Sequence, residues 1–302
     1  MSSTAITENV WWRLLRPHTL TASFVPVCIG TTLALPHPHF RFSFFILMLV
    51  ASMLIQCACN MFNEYFDYRR GLDTKDSVGI GGAIVRDGIA PQTVYRLAIS
   101  CLGIAFLLGL YISSQTSWWL IALGFVCMLV SYLYSGGPYP ISSTPFGELF
   151  AGLFLGVIVI QIAYYIQTAS VTTLSILTSI PTAVLVGAIL MANNIRDLEE
   201  DTQHGRRTLA ILLGRNRAVN FLAGMFVLAN GLMIVFFAVG LLSLWPLLTL
   251  ASIPKAVTSI RKFRNATLRQ AEIEAMIATA QTNTIFGLAL SVGLLLQYWF
   301  SC

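Results

Sequence analysis

Charge is what this sequence has least of. Only 10% of its 302 residues are Asp, Glu, Lys or Arg, against roughly 25% in a soluble domain. Hydrophobic residues make up 56%. That is more than a soluble core can bury, so the chain reads as a polytopic membrane protein. Soft metal chemistry is also missing. The six cysteines (Cys28, Cys57, Cys59, Cys101, Cys127, Cys302) form no CxxC pair, and five lie in or beside apolar runs, as free thiols packed among helices do. The four histidines (His18, His37, His39, His204) have no ligand spacing. The net charge of +5 is spread over several loops, which gives no footprint for nucleic acid. Arg13 and Arg16 ahead of an apolar run imitate a signal peptide. No convincing A-x-A cleavage site follows, so this run is expected to stay as a helix.

What is abundant is long apolar runs. They predict an all-α fold with nine transmembrane helices, near 19–35, 43–63, 94–113, 118–134, 147–167, 174–194, 219–240, 243–260 and 282–300. Trp11, Trp12, Trp118, Trp119, Trp245, Tyr298 and Trp299 mark interfaces. With this assignment, 17 of the 18 basic residues fall on one side and only Arg41 on the other. The positive-inside rule makes that side cytoplasmic, with the N-terminus inside. The expected location is the inner (plasma) membrane. Asp67, Asp73, Asp76, Asp87, Asp197, Glu199, Glu200 and Asp201 lie on the same side, so the chemistry is expected at the cytoplasmic face.

Two polar blocks end the second and sixth runs, and one repeats the other. Asn60, Asn63, Asp67 and Gly71 pair with Asn194, Asp197, Asp201 and Gly205, each at an offset of 134 residues. Four spans fit into that offset, and an even number keeps the orientation. The chain therefore reads as one domain over 1–302, a parallel 4+4 internal repeat (halves about 10–140 and 141–262) plus a ninth helix over 282–300.

Asn63 and Asp67 are four apart, as are Asp197 and Asp201, so each pair shares a helix face, with Asn60 joining the first. Two such columns of oxygen facing each other suit a hard cation. A single block of this kind is usually an ordinary solvated helix end; two in register favour a site, since ionisable groups at the edge of a membrane bundle are costly. Arg69, Arg70, Lys75, Arg206 and Arg207 lie close by in sequence and could hold phosphate. A diphosphate beside an apolar bundle points to an amphiphile with a polyisoprenoid tail. Phe62, Tyr65, Phe66 and Tyr134 are placed to stabilise an allylic cation, although aromatics at such spacings more often pack. The loops 68–93 and 195–218 are lid candidates. The cluster Gly79-Ile80-Gly81-Gly82 could turn amides towards phosphate or simply be a flexible loop.

These blocks resemble the two Asp-rich motifs of the UbiA superfamily of intramembrane prenyltransferases. The match runs through Arg16-Pro17-His18-Thr19-Leu20, Asn60 to Asp73, Tyr134-Ser135-Gly136-Gly137-Pro138 with Gly147-Glu148, and Asn193-Asn194-Ile195-Arg196-Asp197 to Leu209. The last stretch is most similar to the branch that acts on 1,4-dihydroxy-2-naphthoate in menaquinone synthesis. Glu64 departs from it, since that branch often has Asp there. The resemblance implies two Mg²⁺ ions bridged by the diphosphate of a polyprenyl substrate. Asn63, Asp67, Asp197 and Asp201 would be catalytic and hold metal, with Asn60, Glu64 and Asp73 completing the metal set. Lys75, Arg206, Arg207 and Arg69 would contact diphosphate. The naphthoate ring would attack the prenyl cation and lose CO₂, giving demethylmenaquinone.

Two other readings share these residues. Another member of the superfamily would use 4-hydroxybenzoate, homogentisate or a porphyrin as acceptor. A secondary transporter would bind an ion through the same aspartates. Transporters place such sites near the midplane, often within inverted repeats, whereas this repeat is parallel and its carboxylates lie at the edge.

Overall fold

The structure, a computed structural model, describes residues 9–73 and 81–300. Its helices are α1 (Val10–Leu15), α2 (Pro17–Leu33), α3 (Phe42–Arg69), α4 (Pro91–Gln115), α5 (Trp119–Ser135), α6 (Gly147–Ala151), α7 (Val159–Thr168), α8 (Thr173–Arg196), α9 (Leu198–Gln203), α10 (Leu209–Leu213), α11 (Arg215–Ala238), α12 (Ile253–Asn265) and α13 (Arg269–Phe300). A π-helical turn, Gly152–Ile158, joins α6 to α7. No strand occurs among the described residues. In hydrocarbon every backbone polar group must be satisfied within the segment, and a helix does this.

Each of the nine apolar runs falls on helix. Among the described residues, six helices are long and apolar enough to cross a membrane: α3, α4, the unit Gly147–Thr168, α8, α11 and α13. Exposed Leu107, Leu129, Val227 and Val292 give the outside an apolar surface suited to lipid. The chain is a multi-pass membrane protein. The run near 243–260 is less regular than expected. It starts as a 3₁₀ turn, Trp245–Ser252, and becomes α-helical only in α12. Pro246 and Pro254, at the starts of these two pieces, supply no amide hydrogen to either.

Helix α13 starts 13 residues before the expected span. Its 32 residues reach about 48 Å, beyond the ~30 Å of a hydrocarbon core. The extra turns carry Arg269, Glu272 and Glu274, each ion-paired to another element.

One core joins α2, α8, α11, α12 and α13 around Val25, Leu222, Met233, Phe263 and Phe286. A second joins α1, α3 and α4 around Leu14, Met61, Phe62 and Val94. Small residues bring backbones close. A Cβ on Gly156 would lie 2.4 Å from the Ala183 Cα, and one on Gly30 would lie 2.4 Å from the Ile160 carbonyl oxygen.

Candidate active site

Helix α3 carries the first motif in its last two turns. Asn63 Nδ2 donates to Asp67 Oδ2 at 2.8 Å, so the i,i+4 pair shares a face as expected. The second motif is less regular. Helix α8 ends at Arg196, and Asp197 is the hinge to α9, with φ −95° and ψ 7°. The Asp201 amide still donates to the Asp197 carbonyl at 2.9 Å, which keeps the two carboxylates one turn apart.

Both motifs end in the same cap. Gly71 and Gly205 have φ of +71° and +72°. The next amide turns back to the aspartate carbonyl: Leu72 to Asp67 at 2.9 Å, and Arg206 to Asp201 at 3.0 Å. A left-handed residue closed by such a 6→1 bond is a Schellman end, and glycine adopts it without strain.

Arg206 joins the two motifs. Its guanidinium donates to Asp67 Oδ1 at 2.6 Å and to Asp201 Oδ1 at 3.0 Å. Asp197 is held separately. It accepts from Arg196 Nε at 2.8 Å and Nη2 at 2.5 Å, and from Arg269 at 3.3 Å. Burial pushes the Asp197 carboxyl up, but Arg196, Arg269 and Arg16 outweigh it and hold the group below the usual range. Asp201 is different: burial and the neighbouring Asp197 and Asp67 overcome Arg206 and raise it to about 6. Asp73 is raised to about 7 by burial, then by Asp67.

Part of this cluster lines one end of a cavity of about 260 Å³. Asn60, Asn63, Asp197, Asp201 and Arg206 line the polar end. Its walls continue between α3, α4, α5 and α7 as Met48, Ile112, Leu120, Val159 and Ile166. Tyr134 also lines it. Phe62, Tyr65 and Phe66 instead pack against Tyr95 and Tyr132.

Several expected residues are engaged with other groups. Glu64 is 1% exposed and accepts from the Gly82 amide at 2.9 Å and the Ile84 amide at 3.3 Å. It fastens the 81–84 loop, and the Gly82 amide turns to that carboxylate. Asn60 lines the cavity, yet its Nδ2 donates to the Leu15 carbonyl and the Thr19 hydroxyl. Arg69 is exposed and lies over the Tyr65 ring. Arg207 is exposed too; its amide ties the second loop to the Ser143 carbonyl. Lys75, Asp76, Gly79 and Ile80 lie outside the described residues.

Arg16 and Arg269 were not expected in the site. Arg16 lines the mouth and donates to Asn63 Oδ1 at 2.7 Å. Its φ of +49° costs a non-glycine residue about 1–2 kcal/mol. The clue in the sequence was an arginine just before the proline that opens α2. Arg269 is set there only by the long first turns of α13.

Among the described residues, no three His, Cys, Asp or Glu side chains form a metal cage by themselves. Magnesium does not require one, since it takes one or two carboxylates and fills its octahedron with water and phosphate. The donors here fit it: hard oxygens from both motifs, with Asp67 and Asp201 already gathered around one cation, the Arg206 guanidinium.

Fold and site define a helical membrane protein with a duplicated acidic motif at the mouth of an apolar cavity. The model of the UbiA prenyltransferase family matches residues 23–285, and the chain belongs to that family. It is 50% identical to the 1,4-dihydroxy-2-naphthoate octaprenyltransferase of Bacillus subtilis (strain 168), over 96% of this chain and 94% of the relative. It is 31% identical to the UbiA prenyltransferase domain-containing protein 1 homolog of Drosophila melanogaster, over 95% of this chain and 79% of that one. A UbiA homolog from Aeropyrum pernix K1 shares the fold, with a TM-score of 0.69 at 17% identity over 93% of this chain and 98% of that chain. A UbiA homolog from Archaeoglobus fulgidus bound to GPP and Mg²⁺ has a TM-score of 0.62 at 15% identity, over 94% of this chain and 100% of that chain.

Proposed function

We propose that the protein transfers a polyprenyl group from its diphosphate to 1,4-dihydroxy-2-naphthoate, with loss of CO₂ and diphosphate, in menaquinone synthesis. The observation that carries this reading is the Arg206 bridge between Asp67 and Asp201 at the mouth of an apolar cavity. It gathers charge suited to a diphosphate head beside a groove suited to its tail. The relatedness to the Bacillus subtilis enzyme supports the choice of acceptor.

Asn63, Asp67, Asp197 and Asp201 would hold Mg²⁺, with Asp73 within electrostatic reach. Bound there, the metal supplies charge neutralisation for the departing diphosphate. Arg206 and Arg16 sit where their guanidinium groups can take phosphate oxygens. Lys75 is assigned to the diphosphate by its place in the sequence. The apolar walls bind the tail and exclude water from the allylic carbon. Tyr134 offers an aromatic face to positive charge on that carbon. The ring carbon that carries the carboxylate attacks, the C–O bond to diphosphate breaks, and the C–CO₂ bond gives its electrons back to the ring. No strong protein base is needed. The ring leaves as a hydroquinone, and the quinone forms by later loss of two electrons.

The nine-span reading belongs to the same proposal: parallel halves, N-terminus and site on the cytoplasmic side, in the plasma membrane. The matching Schellman ends at Gly71 and Gly205 support the repeat.

The test is product formation by purified protein in detergent. A long prenyl diphosphate is supplied with 1,4-dihydroxy-2-naphthoate, 4-hydroxybenzoate or homogentisate, each with Mg²⁺ or EDTA. Prenylation and CO₂ release with the naphthoate alone, lost in EDTA, is the expected result. Product with a different acceptor would overturn the pathway, and no product from folded protein would overturn the enzyme.

A further inference from the structure

The duplicated asparagines occupy equivalent places, three residues before Asn63 and Asp197, yet they are used differently. Asn60 is fully engaged. Its Nδ2 donates to the Leu15 carbonyl at 2.8 Å and the Thr19 hydroxyl at 2.9 Å, and its Oδ1 accepts from Gln56 at 3.3 Å. Asn194 makes one such bond, from Nδ2 to Glu148 Oε1 at 2.8 Å. It lines the cavity, and its Oδ1 accepts no hydrogen bond from any of the described residues.

Glu148 is the second residue of α6 and only 6% exposed. Its Oε2 is sealed and has no hydrogen-bond partner. Glu148 Oε1 takes the NH₂ end of the Asn194 amide. That contact turns the other end, the carbonyl oxygen, away from Glu148, in a residue that lines the cavity. Asn194 stands three residues before Asp197, roughly 4.5 Å of helix rise further into the bundle. Ser142 lines the same cavity, and its hydroxyl is also buried and unbonded.

We propose that Asn194, oriented by Glu148, accepts a hydrogen bond from a ring hydroxyl of the aromatic acceptor. Glu148 is then a positioning residue, and Asn194 determines specificity. This rests on the reading of the site as a prenyltransferase acting on a hydroxylated arene. A pocket that offers a fixed acceptor rejects a ring whose donor is removed, because the buried oxygen is left unpaired.

The test is steady-state kinetics of the full-length protein in detergent, with 1,4-dihydroxy-2-naphthoate and its two mono-O-methyl ethers. Wild type should lose at least about tenfold in kcat/KM with one ether. Asn194→Ala and Glu148→Leu should raise KM for the parent arene and lose most of that discrimination, with KM for prenyl diphosphate within twofold. Glu148→Gln keeps an oxygen for Asn194 Nδ2 but adds an NH₂ that can meet the flipped amide, so it should restore both only in part. Equal use of parent and both ethers by wild type would overturn the inference without any variant. So would discrimination that persists in Asn194→Ala, or a KM for prenyl diphosphate that rises as far as that for the arene. If wild type prenylates a different hydroxylated arene, the pathway changes and the same test runs with the methyl ether of that arene. If it prenylates none, the functional reading fails and this inference with it.

Discussion

Replacing Arg206 with glutamine removes a cation that pairs with both Asp67 and Asp201. The three side chains are 13%, 12% and 10% exposed, with contacts of 2.6 and 3.0 Å. Stripping the partner from mostly buried carboxylates costs about 3–5 kcal/mol. In a chain of this size each kcal/mol moves Tm by roughly 2 °C. In EDTA at pH 8, where Asp201 is ionised, Arg206→Gln should therefore melt about 6–10 °C below wild type. Magnesium should reverse much of this. At a hundred times Kd it returns about 2.7 kcal/mol, or ~5 °C. Wild type should gain less, because its guanidinium already occupies the two carboxylates. The assay is thermal unfolding in detergent, followed by tryptophan fluorescence with and without Mg²⁺. A mutant that melts within a degree of wild type in EDTA would refute the bridge. Equal magnesium shifts in the two proteins would refute the competition between arginine and metal.

Three further outcomes are expected. Asp67→Asn and Asp197→Asn should each lower turnover by at least about 100-fold in the prenyl-transfer assay, while the proteins still insert and elute as monodisperse species. Gly71→Ala and Gly205→Ala should each cost about 1 kcal/mol, or ~2 °C in Tm, because both sites need a left-handed backbone; a loss at one site only would count against matching caps. Magnesium affinity should depend on pH. The Asp201 carboxyl holds its proton up to about 6 and Asp73 to about 7, and metal binds only the deprotonated groups. Calorimetry should then find affinity rising from pH 5 to pH 7.5 and level above it; affinity flat over that range would refute the assignment of Asp201 as a ligand.

Periodicity made much of the site legible. The i,i+4 spacing placed Asn63 and Asp67 on one face, and the bond between their side chains is that face. The offset of 134 residues matched two helix ends that proved to share even their caps. The same geometry shows why Glu64 stands apart. Adjacent helix residues do not face the same way, so the neighbour of Asn63 points out of the column, to the amides of Gly82 and Ile84. What periodicity could not give is long-range. Arg16 reaches Asn63 across 47 residues through a left-handed turn, and Arg269 reaches Asp197 across 72. Only tertiary packing sets either contact. Hydropathy also gave no sign of how far α13 extends ahead of the last expected span, because its first turns are polar.

The two motifs match in spacing and in cap, and differ in how their polar groups are used. In the first motif the surplus polar groups are structural: Asn60 ties α3 to the start of α2, and Glu64 ties it to the 81–84 loop. In the second, Arg196 and Arg269 hold Asp197 at the hinge after α8, while Asn194 spends its NH₂ on Glu148 and its oxygen on none of the described residues. The first motif therefore fastens the mouth, and the second keeps one polar group in reserve. Two identical halves would have tied up every amide or left both sides loose. The proposed pair of substrates, one with an anionic diphosphate head and the other with a hydroxylated ring, needs both kinds of wall, and Arg206 is the side chain that holds one against the other.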